Sequence, residues 1–288
     1  MLGVTGPNEY ENNVNNNWYT NYIAKWCMEY MLENLAILAK DYASDHERIL
    51  EKTNLQQEEI EAMKEISANM YFPYSEKYKV YLQQDGFLDK EIVTVDQLNQ
   101  EKRPINQFWS WDRILRSPYI KQADTLQGFY FFEDDFTDEE LKRHFDFYEP
   151  LTVHESSLSP CVHSIQAAKL DRMQQAYEFY LRTSRLDLDD YNREVAEGCH
   201  ITSMAGTWMS IVEGFAGMRV KNNQLHFEPK LPEEWDSYSF KINFRNRILK
   251  VEIKQNQTDF IIESGEPLEI MVHGKALKVN QEIITQNE

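Results

Sequence analysis

A chain of 288 residues with 48 Asp and Glu against 30 Lys and Arg carries a formal net charge of -18, which leaves no electrostatic basis for gripping a nucleic-acid backbone or an anionic bilayer. No apolar run approaches the length of a membrane span and no charged segment leads into an apolar stretch at the start, so no targeting signal is read. Cys27, Cys161 and Cys199 are odd in number, far apart and without metal-ligand spacing, which points to reduced, buried thiols in a cytoplasmic protein.

The chain opens on Gly6-Pro7, a turn signal, followed by an Asn-rich run in which side chains can close local hydrogen bonds to the backbone. Glu9 sits inside this loop. Three rings, Tyr10, Trp18 and Tyr19, flank it in sequence, and burial among them would keep its carboxyl protonated, as a general acid requires. From Trp18 to about Ala43 apolar residues recur every three or four positions and predict a long amphipathic helix. Thr53 with Gln56 reads as a capping box for a second helix running towards Met70 and stopped by Pro73. Residues 74–102 read as an irregular insertion with one hairpin.

Helices are then expected at 106–116, 121–132, 138–147, 159–169, 172–184 and 203–216, joined by short polar loops as antiparallel neighbours pack. After Asn222-Asn223 the period changes to two, with strands expected at 225–229, 237–245, 247–255, 258–264 and 268–279. Such short alternating strands predict a small antiparallel β-sandwich.

Four further stretches carry polar chemistry. Lys121-Gln122 should begin a helix, where a cation and an amide could reach sugar hydroxyls. His154-Glu155-Ser156-Ser157 precedes Ser159-Pro160, an N-cap signal with Pro at the first helical position. In Gly198-Cys199-His200-Ile201-Thr202-Ser203-Met204-Ala205-Gly206, hydroxyls, a ring and the start of a helix could together bind an anion. Phe108-Trp109-Ser110-Trp111-Asp112 could stack on a sugar or pack a core.

The run Val4-Thr5-Gly6-Pro7-Asn8-Glu9-Tyr10, continued by Asn12-Asn13-Val14-Asn15-Asn16-Asn17-Trp18-Tyr19-Thr20-Asn21, resembles the acid-bearing loop of glycoside hydrolase family 65, the inverting disaccharide phosphorylases. Asn8 and the Asn-rich continuation are most similar to members acting on maltose. The resemblance implies a mainly α protein with a β domain: a partial (α/α)6 barrel over 1–220, then a small antiparallel β-sandwich over 221–288. It also implies that the chain is a C-terminal fragment of such an enzyme, because the family's motif lies deep in the chain. Glu9 would be the catalytic acid; Lys121, Gln122 and Glu155 would contact the sugar; His200, Thr202, Ser203 and Gly206 would hold phosphate.

Disaccharide cleavage through an oxocarbenium-like transition state normally takes two carboxylates. Inorganic phosphate is already a charged nucleophile near neutral pH, so a phosphorolytic site can omit the second. The expectation is that Glu9 protonates the glycosidic oxygen while phosphate attacks the opposite face and inverts the anomeric carbon. Maltose would yield β-glucose 1-phosphate and glucose; other α-glucobioses (trehalose, kojibiose, nigerose), inverting α-glucosidase action, or a non-catalytic fragment with a structural or interactive role are alternatives. No cofactor or metal is implied beyond phosphate as co-substrate, the partners are a small disaccharide and phosphate, and the full-length enzyme is expected to be a homodimer by resemblance.

Overall fold

Helix α1, Trp18–Asp41, starts where the Asn17 side-chain oxygen accepts from the Thr20 N–H at 2.9 Å, the cap that a helix N-terminus needs for one of its unpaired donors. It is the longest element of a computed structural model that describes residues 1–287. By backbone contacts these residues fall into two units, Met1–Val153 and a second beginning at His154.

In the first unit α1 is followed by α2, Ala43–Thr53, and α3, Gln57–Ala68. The capping box is formed by Gln56 with Glu59, not by Thr53 with Gln56. Thr53 instead ends α2, its hydroxyl donating to the Ile49 carbonyl, and Asn54 takes the left-handed conformation that stops the helix. A short hairpin pairs β1, Tyr74–Ser75, with β2, Val80–Tyr81. Helices α4, Ile105–Phe108, and α5, Trp111–Arg116, replace the single helix expected at 106–116, because the Ser110 hydroxyl caps a new start by accepting from the Arg113 N–H. Helix α6, Thr125–Phe131, and α7, Asp138–Tyr148, follow, the latter with the Thr137/Glu140 capping box in place.

Trp18 is the centre of this unit. It is fully buried and its ring lies 5.5 Å from Phe129, 4.9 Å from Tyr22 and 5.6 Å from Tyr81, centroid to centroid. Burying a ring of that size removes enough apolar area to contribute about 4 kcal/mol. Gly128 on α6 faces the same ring so closely that a Cβ there would collide with it.

The second unit carries α8, Ser159–Lys169, α9, Met173–Ser184, α10, Leu186–Asp189, and α11, Ile201–Met209, which widens into a π-turn at Ser210–Phe215. Its strands are β3, Arg219–Lys221; β4, Gln224–Phe227; β5, Ser237–Phe244; β6, Arg247–Lys254; β7, Gln257–Ser264; β8, Leu268–Val272; β9, Lys275–Val279; and β10, Ile284–Asn287. They form two four-stranded sheets, β3-β4-β8-β9 and β10-β7-β6-β5. One pair, β4 with β8, is parallel, with Phe227 opposite Val272. The expected strand 268–279 is broken at His273-Gly274, where both residues have positive φ, and β3 and β10 were not anticipated.

Alternation decides which face of the sheets is buried. Leu249, Val251 and Ile253 of β6 are fully buried together with Phe260, Ile270 and Val279, while the residues between them face outward. Helices and sheets of this unit are joined by Trp235, whose ring meets Phe215 at 5.4 Å and Tyr180 at 5.2 Å edge to face, and by Lys230, which donates to the Ala168 carbonyl at 2.6 Å. Among the described residues no helix is long and apolar enough to cross a membrane. Cys161 is buried, with its thiol pushed up to about 11, whereas Cys27 and Cys199 are exposed, contrary to the expectation of three buried thiols.

Candidate active site

The acid loop is pinned at several points. Val4 and Val14 exchange backbone hydrogen bonds of 2.8 and 2.9 Å, closing the loop on itself. Asn13 and Asn16 take φ near +50°, a conformation Asn tolerates better than most residues, which accounts for part of the Asn-rich run. Buried Asn8 is the hub: its side-chain oxygen accepts from the Tyr10 N–H at 3.1 Å and the Lys121 N–H at 2.9 Å. Its own N–H donates to Asp124 at 3.0 Å. Asn17 donates to the other Asp124 oxygen at 2.9 Å and to the Gln83 carbonyl at 3.1 Å. Gly6 has to be glycine, since a Cβ would collide with the Asn17 amide and the Asp124 carboxylate.

Asp124 is buried, and loss of water pushes its carboxyl up to about 7 although the Asn8 N–H and the Asn17 amide oppose the shift. The segment bearing it is extended, not helical: Ile120 bridges to Thr152, with the Val153 N–H donating to the Ile120 carbonyl at 2.8 Å. Lys121 and Gln122 therefore precede α6 rather than beginning it. Gln122 donates to the Pro7 carbonyl at 2.7 Å, tying the same segment to the turn.

Glu9 projects from this scaffold and forms an ion pair with Lys121. Its side chain is 56% exposed, so the desolvation expected from Tyr10, Trp18 and Tyr19 is not present. Tyr10 and Trp18 are spent on core packing, and Tyr19 leans on Phe131 at 6.5 Å. The structure thus places Glu9, Lys121 and Gln122 on one constellation, with a cation beside the carboxyl.

The second unit gathers the remaining candidates. His154 has φ near +54°; its ring nitrogen lies 2.8 Å from the Ser159 hydroxyl and its carbonyl accepts from Arg182 at 2.8 Å. Ser159 is consequently not a cap: α8 starts at Ser159 after Leu158, with no side-chain capping bond. Glu155 is buried beside it in sequence. Ser157 reaches across, its hydroxyl oxygen 2.6 Å from that of Thr202, so two motifs 45 residues apart meet at a pair of exposed hydroxyls.

His200 precedes α11 and is held by Asp187, whose carboxylate accepts from the His200 N–H at 2.9 Å and lies 2.5 Å from its Nδ1. Those two contacts hold the Asp187 carboxyl below the usual range. Glu194 lies 3.8 Å from Nε2, so the ring faces two carboxylates. Ser203 donates its hydroxyl to the Thr183 carbonyl at 2.6 Å and is buried. Gly206 lies so close to Cys161 that a Cβ would crowd its side chain. Both positions therefore have a packing role that the sequence did not suggest.

Asp124 and Gln83 were not among the expected site residues, and Ser157, within the polar run before Ser159, was given no individual role. Asp124 was visible as the last member of Lys-Gln-Ala-Asp, but its burial follows from long-range contacts 107 and 116 residues away in sequence. The aromatic run at 108–112 is divided: Trp111 is exposed and meets Tyr10 edge-on at 6.2 Å, while Trp109 lies under Arg113.

The structure is part of a helical barrel followed by a β domain, with the Glu9 carboxyl of the acid loop paired to the Lys121 cation of the segment before α6. Residues 1–209 match the glycosyl hydrolase family 65 central catalytic domain and residues 218–279 the family's C-terminal domain. The chain belongs to glycosyl hydrolase family 65. It is 55% identical to the maltose phosphorylase of Bacillus subtilis (strain 168), over 94% of this chain and 35% of that protein. It is 42% identical to an alpha,alpha-trehalose phosphorylase of Thermoanaerobacter brockii (95% and 35%) and 34% identical to a kojibiose phosphorylase of Halothermothrix orenii (96% and 36%). A solved structure described as "Putative kojibiose phosphorylase from human microbiome" superposes with a TM-score of 0.92 at 36% identity, over 100% of this chain and 39% of that one. The chain spans about a third of the length of the curated relatives it matches, 35% of the first.

Proposed function

We propose that these residues form part of an inverting α-glucobiose phosphorylase, with maltose as the disaccharide. Glu9 donates a proton to the glycosidic oxygen. Lys121, which pairs with Glu9 in the structure, turns to the sugar together with Gln122 and Glu155 when Glu9 acts as the proton donor. Phosphate is held by His200, Thr202 and Ser157, and it displaces the leaving glucose with inversion. Ser203 and Gly206 support the phosphate loop through its packing. The barrel portion is taken as 1–220 and the β domain as 221–288.

The observation that carries the reading is the locking of the Glu9 loop to the Lys121–Asp124 segment through Asn8, which presents a carboxyl beside a cation and an amide. Maltose is preferred over trehalose or kojibiose because identity to the maltose enzyme is 55% against 42% and 34%. The test uses an enzyme of full family length that carries these residues. Glucose 1-phosphate release from maltose should require phosphate and fall by about 10²–10⁴ in Glu9→Gln, the usual worth of a general acid. Unchanged turnover removes Glu9 from the mechanism, and free glucose alone in phosphate-free buffer makes the enzyme a glucosidase.

A further inference from the structure

In the first unit a cleft of about 590 Å³ opens between residues 91–102 and 109–119, within the size range of small-molecule sites. Its wall is the Trp109–Tyr119 pair, 5.8 Å between centroids, backed by the packed cluster of Ile105, Ile114 and Val153. The Arg113 guanidinium lies over the Trp109 ring at 3.6 Å. Stacking occupies the guanidinium face and leaves its N–H edges directed away from the ring as donors.

The charges of the cleft are unequally matched. Arg116 is paired with Asp112 at 3.0 Å, whereas Arg113 and Lys102 have no carboxylate partner among the described residues. In a chain of net charge -18, the cleft gathers two cations without a carboxylate partner, Arg113 on the aromatic side and Lys102 on the facing segment, although the Glu91 and Asp96 carboxylates also act on Tyr119. Glu91, on the same segment as Lys102 and facing Arg113, is also without an ionic partner among the described residues. A bare anion would be repelled by that carboxylate. A ligand that carries an anion at one end and hydroxyls at the other would use it as an acceptor.

We propose that this cleft is a second ligand site, binding a hexose monophosphate: the phosphate on Arg113 and Lys102, the ring hydroxyls on Glu91 and Gln97, the C–H face of the sugar against Trp109 and Tyr119. It is separate from the residues assigned to sugar and phosphate above and does not rest on their assignment. Charge-assisted donors fix the phosphate end, and the aromatic wall favours a pyranose over a flexible polyol.

The test is calorimetric titration of the full 288-residue chain with glucose 6-phosphate, glucose and inorganic phosphate as separate probes. Saturable binding of glucose 6-phosphate is expected, at least about tenfold tighter than either fragment alone, since both ends of the site are then engaged. Arg113→Ala and Lys102→Ala should each weaken it about tenfold or more, the loss expected for a charge-assisted contact. Lys102 is exposed, so its variant keeps the fold if Arg113→Ala does not. Absence of binding at millimolar ligand, or binding indifferent to both substitutions, overturns the site. Equal affinity for inorganic phosphate overturns the sugar part of it.

Discussion

The Asn8 N–H donates to the Asp124 carboxylate at 3.0 Å, across 116 residues of sequence, so the residue before Glu9 is anchored on the residue that ends Lys-Gln-Ala-Asp. Because Asn8 also accepts from the Lys121 N–H, the two chain segments are joined in both directions. The Glu9–Lys121 pair is therefore a product of backbone anchoring, and its geometry does not depend on two mobile side chains finding each other.

Asp124 should make the stability of the chain pH-dependent. Its carboxyl is raised from 3.8 to about 7, chiefly by burial. A carboxyl with a raised folded-state pKa stabilises the fold when protonated: the contribution is fully present below about pH 4 and is lost as pH rises through 7. Over that window the loss approaches about 4 kcal/mol at 1.36 kcal/mol per pH unit of displacement. Asp124→Asn should flatten this slope. Denaturant melts of both proteins between pH 4 and 8 measure it, and parallel curves would mean that the group does not titrate where its burial implies.

The helical and β periods of this chain were legible because they are local. The amphipathic stripe of α1 and the alternating strands from Gln224 onwards need no tertiary knowledge, and the structure follows them. Boundaries set by side-chain hydrogen bonds were less so: Ser110 restarts a helix, and the Ser159 hydroxyl is paired with the His154 ring nitrogen instead of capping α8. Glu9 was recognisable by its loop, but its environment was misread, since adjacency in sequence to Tyr10 and Trp18 says nothing about which side of the backbone those rings occupy. Here they turn into the core and leave the carboxyl in the open.

Among the hydroxyls of the second unit, geometry separates ligand candidates from structural ones. Ser157 and Thr202 are paired at 2.6 Å on the surface, whereas Ser203 donates to a buried carbonyl. Ser157→Ala and Thr202→Ala should raise the KM for phosphate about tenfold with little change in Tm, as expected for loss of one ligand hydrogen bond. Ser203→Ala should cost about 1–2 kcal/mol of stability by leaving the Thr183 carbonyl without its donor. Phosphate kinetics and thermal melts of the three variants distinguish the roles, and an unperturbed phosphate KM in both surface variants would remove the pair from the phosphate site.

Gly128 tests the packing around Trp18. The added methyl of Gly128→Ala meets the indole, which has Phe129, Tyr22 and Tyr81 on its other sides and no room to retreat. Helix propensity favours alanine by about 1 kcal/mol, and overpacking opposes it by about 1–3 kcal/mol, so net destabilisation is expected. An urea melt showing Gly128→Ala equal to or more stable than the parent would mean that the ring can shift.

The loop is held from its far side by an ion pair between Glu11 and Lys90, both with little side-chain exposure, 7% and 14%. Burial pushes Lys90 down to about 8, so it remains charged at neutral pH. Removing one member of such a pair strands the other charge, and Glu11→Ala should cost about 3 kcal/mol. Replacing both, Glu11→Met with Lys90→Met, should recover most of the loss because no charge is then left without water or partner. A double-mutant cycle by urea denaturation measures the coupling. Since Glu11 lies two residues from Glu9, the single variant should also lower kcat in an enzyme of full family length while the double variant restores stability. Additive losses in the cycle would show that Glu11 and Lys90 act independently and that the loop is held by its other anchors.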